Sequence, residues 1–93
     1  MNYTMLNYEG YENYFVDSNV YCNGYAYEFK FDNGYGASVI KHDYSYGGKS
    51  DLFELAVLDS AKKIIYNTDI TDDVIGWLTN EDVLDLLEQI KNL

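Results

Sequence analysis

His42 is the only histidine among the 93 residues, and Cys22 is the only cysteine. With Ser45 and Asp43 they supply the residue types of a base, a nucleophile and an orienting carboxylate. Nothing in the sequence places those groups together, and the ordinary role for His42 is a strand-end residue near the surface. We therefore expect no enzymatic activity and assign no catalytic residue. A zinc site needs about four Cys or His ligands, more than the chain offers. Asp69, Asp72 and Asp73 have the oxygen chemistry for a hard cation but lack the EF-hand spacing and its bidentate Glu. Capping of a following helix explains them better. Gly34-Tyr-Gly36 resembles part of a phosphate-binding loop, yet no Lys follows at the P-loop position and the glycines fall in a hairpin. Neither a metal nor another cofactor is expected.

Two features point to binding instead. Between Ile64 and Ile90 lie seven acids, Asp69, Asp72, Asp73, Glu81, Asp82, Asp85 and Glu88, and no base. On a C-terminal helix Glu81 or Asp82, Asp85 and Glu88 recur every three or four residues and share one face, roughly 5–6 Å apart. A nucleic-acid mimic needs such a row, and any solvated helix face carries one too. The second feature is tyrosine. Ten of the 11 tyrosines lie between Tyr3 and Tyr46, more than a core of this size can hold. Tyr presents large, stiff, amphipathic contact area and is enriched in recognition surfaces. The loop Tyr44-Ser-Tyr46-Gly-Gly48 has that chemistry.

The whole composition agrees with a binding role. Sixteen acids against six bases, all Lys, give a net charge of -10. Nucleic-acid binding requires Lys and Arg to neutralise phosphates, and an anionic membrane surface requires the same sign, so neither is an expected direct partner. A basic protein is. A single cysteine allows no internal disulfide and fits a reducing, cytoplasmic setting. The N-terminus lacks the basic and apolar regions of a signal peptide, and no stretch reaches the 18 apolar residues of a membrane span. With 47% hydrophobic and 17% aromatic residues, the chain reads as one folded domain rather than a disordered acidic tail. The bias toward Asn, Tyr, Lys, Ile and Asp is that of an AT-rich coding sequence.

The elements that must position these residues are written as two periodicities. In Gly24 to His42, Tyr25, Tyr27, Phe29 and Phe31 alternate with Ala26, Glu28, Lys30 and Asp32, the period of a half-buried strand. Asn33-Gly34 then reads as a type I′ turn, pairing Phe29 with Ser38 and Tyr27 with Ile40. A third strand is expected over Leu52 to Leu58 and a fourth over Lys63 to Thr68. The period changes after that. Thr71-Asp-Asp-Val74 reads as a capped helix start that Gly76 keeps short. Thr79 caps a second helix whose Val83, Leu86, Leu87, Ile90 and Leu93 form one apolar stripe. Trp77 and Leu78 are expected to anchor the helices to the sheet. Residues 1–23 show only Tyr8, Tyr11 and Tyr14 at intervals of three and the pattern of a short strand at Tyr14-Phe-Val16. The expected class is α+β: an antiparallel sheet of about four strands, covered on one face by one or two C-terminal helices.

The string Phe31-Asp-Asn-Gly-Tyr-Gly-Ala-Ser-Val39, followed by His42, Ser45-Tyr-Gly47, Leu52-Phe-Glu-Leu-Ala-Val-Leu58 and Asp69-Ile-Thr-Asp-Asp-Val-Ile-Gly-Trp-Leu78, resembles a family of small proteins encoded by tailed phages and prophages. The resemblance covers residues 25–93, and the Tyr-rich first 24 residues fall outside it. Small acidic phage proteins often bind and block host factors, CRISPR effectors among them. At the level of class the resemblance thus implies an anti-CRISPR-like inhibitor of a basic host protein such as a CRISPR nuclease. The acids would then occupy a channel built for DNA or RNA, and Tyr44 and Tyr46 would give short-range specificity. The alternative it leaves open is a phage accessory or structural adaptor that uses the Tyr-rich surface or a sheet edge.

Overall fold

The computed structural model describes residues 3–70 and 73–93. Thr71 and Asp72 lie outside them, and so does the helix cap expected at Thr71. Five strands follow one another in sequence and in space: β1 Phe15–Tyr21, β2 Gly24–Lys30, β3 Gly36–Lys41, β4 Phe53–Leu58 and β5 Ile75–Leu78. Every neighbouring pair is antiparallel. One helix, α1 Asn80–Lys91, closes the chain. The α+β class therefore holds, with five strands rather than four.

The alternation in β2 does what it implies. Tyr27 and Phe29 are buried, and Phe31 continues their face beyond the strand. Opposite them stand Val39 and Ala37, both fully buried. This register differs by one residue from the expected pairing of Phe29 with Ser38, and the turn explains why. The Phe31 N–H donates to the Tyr35 carbonyl (2.8 Å) and the Gly34 N–H donates to the Phe31 carbonyl (3.1 Å). Asp32 and Asn33 are thus the centre of an ordinary turn, and Gly34 alone takes positive φ, at 91°. This is a three-residue hairpin loop ending in a glycine bulge, not a two-residue type I′ turn. One extra loop residue moves every pairing by one and swaps the faces of the partner strand. The type I′ turn lies instead at Cys22-Asn23, whose φ values are 47° and 65°, and it pairs Tyr21 with Gly24.

The C-terminal half of the sheet also departs from expectation. Lys63 to Thr68 is not a strand. It contributes a bridge between Ile64 and Leu58 and a bond from the Ile65 N–H to the Val57 carbonyl (2.9 Å). The chain then swings away and returns as β5, which pairs with the first half of β4 through Leu55–Ile75 and Phe53–Leu78. The outer edge of β4 is shared between the two segments, so neither makes a full-length strand there. Where a short helix cut off by Gly76 is expected, with Trp77 and Leu78 at its junction, Ile75–Leu78 form this strand.

Helix α1 begins where Thr79 predicts. The Thr79 hydroxyl accepts the Asp82 N–H (3.1 Å), and the Asp82 carboxylate accepts the Thr79 N–H (3.0 Å), a complete capping box. Val83, Leu87 and Ile90 are fully buried against β3, β4 and β5. Leu93 lies beyond the helix and is exposed. At the far end Asn33 donates to the Ile90 and Lys91 carbonyls (2.9 and 3.1 Å). It thereby satisfies acceptors that a helix C-terminus leaves open.

The Tyr-rich N-terminus belongs to the same core. Leu6 is buried, and its N–H donates to the Tyr27 hydroxyl (3.1 Å). The Tyr8 ring stacks on Phe15 at 4.8 Å and meets Phe29 edge-on at 5.6 Å, while Tyr14 lies 5.0 Å from Phe31. Polar contacts hold the segment at both borders. Asn7 and Asn80 exchange reciprocal 2.8 Å bonds. The Tyr11 hydroxyl donates to Glu88 (2.7 Å). Lys41, buried beneath the segment, donates to the Thr4 carbonyl (2.9 Å), pairs with Asp51 (3.1 Å) and sits 3.7 Å above the Phe53 ring. The segment and α1 together roof one face of the sheet.

Candidate functional site

His42 is buried, not a surface residue. Its Nδ1 accepts the Tyr44 N–H (3.0 Å), and its backbone N–H donates to Ser45 Oγ (2.9 Å). Ser45 Oγ in turn donates to the His42 carbonyl (3.0 Å). Asp43 faces away from this pair and accepts from the Tyr3 hydroxyl and from Asn23 (2.8 Å). These hydrogen bonds shape the loop after β3 and leave base, nucleophile and orienter pointing at different partners. Among the described residues no three His, Cys, Asp or Glu side chains gather around a point where a metal would sit.

The acids expected to bind a partner are not equivalent. Asp69 and Asp73 are exposed on the excursion before β5, and Asp73 accepts the Val74 N–H (2.7 Å). Asp72 lies outside the described residues. On α1, Asp82 is occupied by the capping box. Glu88 accepts from Tyr11 and from Asn92 (2.9 Å) and lies 3.8 Å from Lys91. The Tyr11 bond holds the Glu88 carboxyl below the usual range. Glu81 and Asp85 remain as exposed carboxylates, one turn apart. The even row expected from the sequence is therefore interrupted by the fold's own needs.

The tyrosines divide as sharply. Tyr3 and Tyr27 are buried, and Tyr8, Tyr11, Tyr14, Tyr25 and Tyr35 are half-buried. Burial, then the bond to Glu88, pushes the Tyr11 phenol up to about 12. The bond to Asp43 does the same for Tyr3, again to about 12. Tyr21, Tyr44, Tyr46 and Tyr66 are exposed, and the first three lie at the end of the sheet where β3 gives way to the following loop. The His42 ring lies 5.2 Å from Tyr21 and 6.4 Å from Tyr44, edge-on to both. The Tyr46 N–H donates to Glu54 (2.8 Å), and its carbonyl accepts the Trp77 N–H (3.1 Å).

Trp77 is the residue that sequence reasoning misplaced. It was expected between sheet and helix; its neighbour Leu78 is buried there, but Trp77 is 63% exposed. Its φ is 60°, a left-handed conformation that costs a non-glycine residue about 1–2 kcal/mol. The backbone around it is closely packed. A Cβ on Gly76 would come within 2.4 Å of Tyr46 Cβ, and one on Gly47 within 2.9 Å of the Trp77 backbone. The two glycines let the loop press against β5, which brings the backbones of Tyr46 and Trp77 together. A tryptophan preceded by Gly76 was the available signal.

By fold the chain is an α+β protein: a five-stranded antiparallel meander roofed by one helix and an aromatic N-terminal segment. No family model, curated protein or solved structure matches it. No helix among the described residues is long and apolar enough to cross a membrane.

Proposed function

We propose that the chain is an acidic binding protein that inhibits a basic, nucleic-acid-binding host protein, in the setting of a tailed phage and a defence factor such as a CRISPR nuclease. The supporting observation is the pairing of a net charge of -10 with an exposed aromatic loop, Tyr44 and Tyr46, whose rings the core leaves unburied. The charge accelerates encounter with a basic surface, and rigid aromatics slow its dissociation. The roles assigned to Glu81 and Asp85 rest on their exposure. Asp82 and Glu88 are exposed as well, but each also holds a bond that the fold uses.

The test is capture of partners from a low-GC bacterial host, with DNA added as competitor. The reading requires a basic, nucleic-acid-binding protein whose capture DNA displaces. A second reading, a phage accessory or structural adaptor, is favoured by one observation: β1 is a seven-residue edge strand with Val16 and Val20 exposed, and such edges accept further strands. Capture of a phage component that DNA does not displace, and that Val20→Pro abolishes, would select the adaptor. Proline is tolerated on an edge, so that variant keeps the fold.

A further inference from the structure

Four large aromatic side chains, Tyr21, Tyr44, Tyr46 and Trp77, stand at least 60% exposed at one end of the sheet. They form two linked groups: Tyr21, His42 and Tyr44 in edge-on contact, and Tyr46 bonded through its backbone to Trp77. A monomer gains nothing from presenting such rings to water. Strain at Trp77 makes the arrangement more demanding, since a glycine would occupy the same φ without penalty. The loop is also fixed in advance by internal bonds among Ser45, Gly47, Gly48, Ser50, Asp51 and Leu52. A rigid aromatic display loses little entropy on binding.

We propose that this end of the sheet is a docking site for an arginine- or lysine-bearing segment of a partner protein, with Trp77 and Tyr46 as the faces that receive the cation. The proposal rests on the binding reading above and adds the site and its ligand chemistry. Charge complementarity selects the occupant. Indole and phenol faces attract guanidinium and ammonium groups, indole most strongly. Glu54 stands beside Tyr46 and Asp43 lies in the same loop region, with Lys49 as the exposed base, while Asp51 is paired with the buried Lys41. A nucleic-acid strand also stacks on aromatics, but its phosphates meet a chain of net charge -10. A second copy meets the same repulsion.

Trp77 is the only tryptophan, so its emission reports on this site alone. The experiment titrates the full chain with an Arg-Gly repeat peptide, with its Gln-Gly counterpart and with oligothymidylate. Emission of Trp77 is expected to shift saturably with the Arg peptide and not with the other two. By calorimetry, Trp77→Gly and Tyr46→Ala each lower the affinity for the Arg peptide about tenfold, the scale of one such contact. Neither changes the formal charge, so loss in them is not loss of attraction at a distance. Trp77→Gly melts at the same or a higher temperature than the parent, which separates binding from folding. Equal binding of the Gln peptide, saturation by oligothymidylate, self-association that Trp77→Gly abolishes, or an unchanged affinity in Trp77→Gly would each overturn the site. Inhibition of a basic partner that persists in Trp77→Gly would also sink the site while leaving the inhibitor reading intact. A successful titration beside capture of no basic protein would do the reverse.

Discussion

Trp77 and Leu87 show two opposite relations between a residue and its fold. Leu87 is fully buried at the middle of the helical stripe and packs in the core. Leu87→Ala should destabilise the protein by about 2–5 kcal/mol in a denaturant titration; a change below about 0.5 kcal/mol would place that face in solvent. Trp77 instead holds a left-handed backbone with its ring largely in water. Trp77→Gly should stabilise by up to about 1 kcal/mol, relief of strain being partly offset by the freer unfolded chain. A loss of more than about 1 kcal/mol would mean that the indole supports the fold. The first residue was legible in sequence because periodicity reports burial. The second was not, because an apolar residue left exposed looks the same in sequence as one buried in a core. Asn33 misled in another way: it resembles a type I′ turn residue, yet its side chain serves the far end of α1, a contact between distant residues that no local pattern encodes.

At the scale of elements, β2 and α1 were readable because each carries its own period and its own start signal, the alternating aromatics and the Thr79 cap. β1 and β5 were not. All residues of β1 but the first are exposed, so no alternation marks it, and β5 is four residues long with a glycine inside. The N-terminal segment carries only the three-residue spacing of Tyr8, Tyr11 and Tyr14, and beyond its core packing it is tied by bonds to Asp43, Asp51 and Glu88. These give a pH prediction. The carboxyls are held below their usual values, by Tyr3 at Asp43, by Thr4 and then Lys41 at Asp51, and by Tyr11 at Glu88. A depressed folded-state pKa gives stability that is present above the unfolded value, near 4, and is lost as pH falls through the folded one. Tyr3 and Tyr11 act with the opposite sign. Their phenols are raised to about 12, so their contribution is complete below about 10 and is lost as pH rises toward 12. Hydrogen exchange should show the amides of Thr4 and Leu6 most protected between those limits and loosened first on both sides. Protection that is flat from pH 3 to 11 would mean that packing alone holds the segment.

For the whole molecule the net charge of -10 was available from composition alone; how the acids are deployed was not. Of the α1 carboxylates, Asp82 and Glu88 serve the fold, while Glu81 and Asp85 face solvent. Neutralising Asp82 or Glu88 would therefore confound binding with the cap or with the Tyr11 contact. The clean pair is Glu81→Gln with Asp85→Asn. Against a basic partner of the kind proposed, that double variant should slow association at low salt and leave dissociation nearly unchanged, because exposed charges act on the encounter. The difference from the parent should shrink at physiological salt, where the Debye length is about 8 Å. Tyr44→Ala with Tyr46→Ala should do the opposite: association is kept, dissociation accelerates about tenfold or more, and salt hardly alters the ratio. The two effects should also combine additively in free energy, since charge on α1 and rings on the β3–β4 loop act at different stages of binding. Surface plasmon resonance at two ionic strengths separates them. If the charge variant changes only the dissociation rate, the acids make close contacts and a phosphate-like row is back in play. If the tyrosine variant changes only association, the rings guide folding of the loop and the aromatic end is not where the partner is held.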